Sequence, residues 1–122
     1  MERIEEFTLK GKNFLFFDMS GFQKLDDYIQ FINDAKPVIE KYTELSLYTI
    51  TNVKQTRFDT DIKNAVAEWM DYNEPYVRYG VVIGTNGIKK LLFDSLMYQT
   101  GRDNLVCLNT KEQAISWLQK QD

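Results

Sequence analysis

The spacing of hydrophobic positions changes several times along the chain, and each change marks a predicted element. Residues 4–9 alternate weakly between apolar and polar, Gly11-Lys12 reads as a tight turn, and residues 13–18 carry Phe14-Leu15-Phe16-Phe17. This predicts a β-hairpin whose first strand is an edge and whose second is more buried. Leu25, Tyr28, Ile29, Ile32, Ala35, Ile39 and Tyr42 then recur at three and four, the spacing of one helical face. Pro37 inside that pattern has no backbone donor, which predicts a kink or break just before it. Residues 45–51 return to strand character. After a polar loop, Ile62, Ala65, Val66, Trp69 and Met70 form a second helical stripe that Asn73-Glu74-Pro75 ends.

The stretch from Tyr76 to Lys90 organises the rest. Val81-Val82-Ile83 is apolar on both faces, the signature of a central parallel strand covered on both sides. Gly84 and Gly87 break the run, and helical spacing resumes with Ile88, Leu91, Leu92, Ser95, Leu96 and Gln99. Gly101 is a predicted C-cap, and residues 104–108 a short last strand. Thr110-Lys111-Glu112-Gln113 has capping-box spacing and opens a helix that buries Ala114, Ile115, Trp117 and Leu118. The predicted order is ββαβαβαβα: one α/β domain over residues 1–122, with an N-terminal hairpin, then βαβαβα, a five-stranded mostly parallel sheet and four main helices with right-handed crossovers.

Composition narrows the function more than the fold. The chain has 122 residues, enough for one core, with 43% apolar and 14% aromatic residues, which argues against disorder. A net charge of −3 argues against a nucleic-acid binder that works by neutralising phosphates. No apolar run reaches the length of a membrane span, and the acidic start Met1-Glu2-Arg3-Ile4-Glu5-Glu6 is unlike a signal peptide. Cys107 is the lone cysteine, so a cytoplasmic setting is expected. There is no histidine, which removes Ser-His-Asp, Cys-His and the common zinc chemistries and moves the expectation from enzyme to binder. No cofactor is expected.

Several segments carry a resemblance. They are Phe16-Phe17-Asp18-Met19-Ser20-Gly21, Asn73-Glu74-Pro75-Tyr76-Val77, Gly87-Ile88-Lys89-Lys90 leading into Leu91, Gly101-Arg102, and Glu112-Gln113-Ala114-Ile115-Ser116-Trp117-Leu118. In this order and spacing the chain resembles the STAS domain family, the fold of the anti-sigma-factor antagonists. More closely, it resembles the bacterial SpoIIAA-like group, also described as STAS/SEC14-like. The resemblance implies a non-enzymatic regulatory module acting through protein–protein contact. In the antagonist branch a Ser or Thr after an Asp is phosphorylated to break a partner contact. Here the corresponding stretch reads Thr51-Asn52-Val53-Lys54-Gln55-Thr56, without the Asp-Ser-Ser/Thr-Gly pattern.

In an open parallel sheet, ligands gather beyond the carboxyl ends of the strands. The sharpest candidate there is Gly84-Thr85-Asn86-Gly87, whose backbone amides and helix start would receive an anion with Lys89 and Lys90. The alternative is that the glycines serve turn geometry and the lysines face solvent. Thr56 and Ser20 are candidate phospho-acceptors, or else turn and helix caps. Phe93, Met97 and Tyr98 fall outside the narrow stripe of the third helix, as a partner-binding or self-association patch or as part of a wider core face. Glu5-Glu6, Asp26-Asp27 and Asp59-Asp61 lack EF-hand spacing and read as solvated termini, and no metal site is expected. Cys107 reads as an inert core residue, and Trp69 and Trp117 as packing.

The leading expectation is therefore a small regulatory or interaction module, with a protein partner or self-association. The alternative is a binder of a small apolar or lipid-like ligand, its pocket lined by Tyr28, Phe31, Trp69, Met70, Phe93 or Met97. An apolar cavity favours the second, and a filled core the first. An anion- or nucleotide-binding protein comes third.

Overall fold

Two residues in left-handed backbone, Lys10 (φ 50°) and Gly11 (φ 80°), reverse the chain between β1 (Ile4–Leu9) and β2 (Lys12–Asp18). Positive φ at both turn positions matches the twist of a two-residue hairpin, and glycine takes the second at no steric cost. The turn thus sits one residue earlier than its sequence signal, and Lys12 already pairs with Leu9. The computed structural model describes residues 3–122, the side chain of Ile88 excepted. Met1 and Glu2, with their share of the acidic start and of the expected 1–122 domain, lie outside the described residues.

After the hairpin come α1 (Leu25–Ile39), β3 (Leu47–Asn52), α2 (Thr60–Asn73), a short 3-10 turn, β4 (Val77–Ile83), α3 (Ile88–Thr100), β5 (Leu105–Leu108) and α4 (Lys111–Gln119). The five strands lie in the order β1-β2-β3-β4-β5, with β1 antiparallel to β2 and the others parallel. β4 is interior, paired on both edges as its two apolar faces require, but the middle strand is β3. Each parallel strand is laid on the same side of the last, so crossovers of one hand carry α1, α2 and α3 to the same face. α4 follows the last strand and covers the other.

Local signals account for the helix ends. Asp59 Oδ1 accepts the Ile62 amide at 2.9 Å and caps α2. Asp27 reaches back to the amides of Gln23 and Lys24 at 3.1 and 3.2 Å. The Thr110–Gln113 box closes in both directions at the start of α4. Pro37 does not split α1. It falls in the last turn, and the helix ends at Ile39 rather than running to Tyr42. At the far end of α4, the Lys12 ammonium donates to the carbonyls of Leu118 (3.1 Å), Gln119 (2.9 Å) and Gln121. A cation placed on unpaired terminal carbonyls satisfies them and opposes the helix dipole.

The sheet has two unlike faces. Toward α4 it presents Phe14, Tyr48, Ile50, Val81 and Ile83, closed by Ala114 and Leu118. Phe7 stacks on Phe14 at 5.1 Å, and Tyr79 meets Trp117 edge-on at 5.9 Å. Toward α1 and α2, Leu15 and Phe17 pack with Tyr28, Phe31, Ile62 and Trp69. Among the described residues, no helix is long and apolar enough to cross a membrane.

The ends of β3 and β4 meet without a side chain between them. Gly84 has φ +90°, and a Cβ there would come 2.7 Å from the Lys54 amide nitrogen and 2.6 Å from its Cγ. Gly21 also has positive φ (+79°), but its Cβ would meet nothing within 4 Å. Gly84→Ala is therefore expected to cost at least about 2 kcal/mol, from backbone strain plus the clash, and Gly21→Ala only about 1. Urea unfolding of both variants checks the order.

Candidate ligand cavity

β3 alternates large and small residues. Tyr48 and Ile50 point toward α4, while Thr49 and Thr51 point toward α2 and α3. β4 does the same, with Gly80 and Val82 on the Thr side. A Cβ on Gly80 would come 2.5 Å from Leu105 Cδ2 and 2.6 Å from Thr49 Oγ1, so the missing side chain lets those two approach each other. Short side chains on the sheet and helices held off by aromatic rings leave a cavity of about 80 Å³. Phe17, Tyr28, Phe58, Trp69, Met70, Phe93 and Leu96 supply apolar walls, and Thr49, Thr51, Asn73, Thr85, Lys89 and Arg102 polar ones. Of the side chains named in advance for such a pocket, Tyr28, Trp69, Met70 and Phe93 line it. Phe31 packs instead against Phe17 and Phe22, and Met97 against Ala67, Met70 and Leu96.

α3 is rotated from its predicted phase. Leu91 is 69% exposed and Gln99 is exposed, although both belonged to the expected core stripe. The inward face carries Lys89, Leu92, Phe93, Leu96 and Met97 in its place, all buried or half-buried. Of the proposed surface patch only Tyr98, at 91%, is fully outside.

Arg102 forms the floor of the cavity. It is 4% exposed and holds three elements together. Its Nη1 donates to the Met70 carbonyl (2.7 Å) and Asn73 Oδ1 (2.9 Å), and its Nε to Asn104 Oδ1 (2.9 Å). Asn104 in turn donates to the carbonyls of Val77 and Arg78 at 3.0 and 3.2 Å. Burial lowers the guanidinium pKa, while Glu74, Asp71 and Asp103 raise it. In sequence, Arg102 stood out only through the Gly101-Arg102 pair. Its spacing from Asn73 carries no local pattern.

At the opposite end, the Lys89 ammonium turns inward to the Val53 carbonyl at 3.3 Å. Lys90 pairs instead with Asp94 at 2.6 Å on the surface. The Lys89 and Lys90 amides bond the Asn86 and Gly87 carbonyls, so two amides of the candidate anion loop are committed. Beside this loop, Lys54, Gln55, Gly84, Thr85, Asn86, Lys89 and Asn109 line an open groove of about 570 Å³. Thr56 is buried, with Oγ1 donating to the Val53 carbonyl at 2.8 Å, and reaches a modifying enzyme only if that loop opens. Ser20 is half-buried beside Asp18, whose carboxylate accepts its amide at 3.0 Å.

Four of the six acidic candidates are engaged, and Asp26 and Asp61 are exposed. Glu5 pairs with Lys111 at 3.2 Å. Glu6 accepts from Tyr42 Oη at 2.7 Å and Lys41, and these bonds, Tyr42's first, hold its carboxyl below the usual range. Asp27 and Asp59 cap helices as described. Among the described residues, no three Asp, Glu, His or Cys side chains cluster to hold a metal. Burial pushes the Cys107 thiol up, against the activation a nucleophile needs.

No protein-family model matches the sequence, and no curated protein matches it. The fold does have a solved counterpart. A protein of the DUF3478 family with a SpoIIAA-like fold, from Shewanella loihica PV-4, superposes with a TM-score of 0.71 over 94% of this chain and 91% of that one, at 11% identity. The chain thus has the SpoIIAA-like fold, as its ordered segments suggested.

Arg102→Ala leaves the Asn73, Asn104 and Met70 acceptors unmatched and is expected to cost about 3 kcal/mol, whereas Lys90→Ala, on an exposed helix pair, should leave the midpoint nearly unchanged. Denaturant midpoints at constant slope measure both. The Tyr28, Tyr42 and Tyr72 phenols are each pushed up from 10.0 to about 12, chiefly by burial. The unfolded chain gives up those protons near pH 10 and the folded chain keeps them. Their stabilisation is therefore complete below pH 10 and is lost as pH rises through about 12. Tyrosinate absorbance should rise together with the loss of helical circular dichroism in that window.

Proposed function

We propose that this chain is a non-enzymatic binding module whose ligand is a small, largely apolar molecule held between the sheet and helices α2 and α3. The observation that carries this reading is the cavity itself. An apolar void of about 80 Å³ costs on the order of 2 kcal/mol when empty, and a longer apolar side chain such as Leu at Thr51 would reduce it. Filled cores are the rule, so a maintained gap with a few polar groups at its ends favours a guest. The lack of histidine and the raised Cys107 thiol favour binding over catalysis.

A second reading, contact with a protein partner or self-association, draws on Leu91 and Tyr98, which stand exposed two turns apart on α3.

Trp69 lines the cavity and Trp117 lies on the other face, so Trp117→Phe leaves one indole at the site. Titration of that protein with 2-phenylethanol is expected to change Trp69 emission saturably and to raise the melting temperature. Thr51→Leu is expected to abolish the response while stabilising the free protein by about 1 kcal/mol. An indifferent Trp69, with Thr51→Leu destabilising, would sink the proposal.

A further inference from the structure

The charge of the guest follows from the mouth of the cavity, given the binding reading above. Thr85 and Lys89 belong to two spaces at once, since they line both the buried cavity and the open groove that includes Lys54. They are the boundary between apolar interior and solvent.

Both groups are undersatisfied. Thr85 Oγ1 is buried and has no hydrogen-bond partner among the described residues. The Cys107 thiol is near enough to feel it, but the geometry falls short of a hydrogen bond. Lys89 Nζ has one long contact, to the Val53 carbonyl, and among the described residues no carboxylate lies within 4.0 Å of it. None of the residues lining the cavity is Asp or Glu. The other cation of the lining, Arg102, is by contrast committed to Asn73, Asn104, the Met70 carbonyl and Glu74. In a chain of net charge −3, a local cation without a counter-charge and a hydroxyl without an acceptor stand together at the mouth of an apolar hole.

We propose that the guest is an apolar monocarboxylate, its body about the size of one aromatic ring or a short acyl chain. The body fills the space among Phe17, Trp69, Met70 and Phe93, and the carboxylate rests at the mouth, accepting from Lys89 Nζ and Thr85 Oγ1. A charged acceptor is the partner that satisfies both donors, and charge-assisted bonds gain strength where water is excluded. A neutral guest of the same shape shields Lys89 from water without replacing that water's charge stabilisation.

The test compares phenylacetate with 2-phenylethanol, an acid and an alcohol with the same apolar body, on the full chain carrying Trp117→Phe, at neutral pH and low salt. Phenylacetate is expected to bind about tenfold more tightly. Lys89→Met and Lys89→Gln should each bring the two affinities level, while Lys90→Met, which removes the surface pair with Asp94 and a long contact with the Phe93 ring, should leave the preference intact. Two Lys89 variants guard against misfolding of one, and circular dichroism reports on both. Alcohol and acid binding equally well in the parent, or a preference that survives both Lys89 variants, overturns the carboxylate while leaving the cavity reading standing. If neither compound binds, the cavity reading falls and the carboxylate with it.

Discussion

Everything distinctive in this molecule follows from how β3 divides its side chains. One face carries Tyr48 and Ile50 and the other Thr49 and Thr51. A parallel strand must be covered on both sides, and here the two covers have different work to do. Against the large residues, the short helix α4 packs Ala114 and Leu118. Against the small ones, Trp69 and Met70 of α2, with Trp69 meeting Phe17 of the sheet, stand between the helices and the strand. The hollow is a property of the sheet before it is a property of the helices.

The polar groups around the hollow are arranged by the same constraint. Arg102 can be buried because three acceptors and the nearby acids compensate its desolvation. It thereby ties the end of α2 to the start of β5 and fixes the floor. The roof has no such network. There the backbones of Gly84 and Lys54 come so close that no side chain can intervene, and Thr85 and Lys89 are set where the passage to solvent begins.

Much of the architecture was legible in the sequence. The hairpin, the buried run at Val81-Val82-Ile83 and the Thr110–Gln113 cap all rest on local signals of one kind, a period or a cap, with nothing to compete. The hairpin turn was misplaced by one residue because Lys10 takes a positive φ that is read more readily from glycine. α3 was misphased for a different reason: with Leu91, Leu92, Phe93, Leu96, Met97 and Tyr98 it is apolar around most of its circumference, so several stripes fit equally well. Only packing against α2 decides that Phe93 and Met97 turn inward while Leu91 does not. Three walls of the cavity, Tyr28, Trp69 and Met70, were legible as large residues on helical stripes, and a fourth, Phe93, as an apolar residue beside one. Its floor was not, since Arg102 meets Asn73 across a long stretch of chain; Thr85 and Lys89 were legible as part of an anion loop, but not as the mouth of a cavity, because Lys89 meets Val53 far away in sequence.

The bond from Lys12 to the carbonyls of α4 joins the second strand to the last helix, nearly the whole sequence apart. Phe14, Tyr48 and Val81 therefore wait for their cover until the final turn of α4 is available. On the ribosome, that greasy face stays wet until α4 has emerged. Protection from premature clumping during biosynthesis must come from a chaperone or from speed, and not from the order in which the chain emerges.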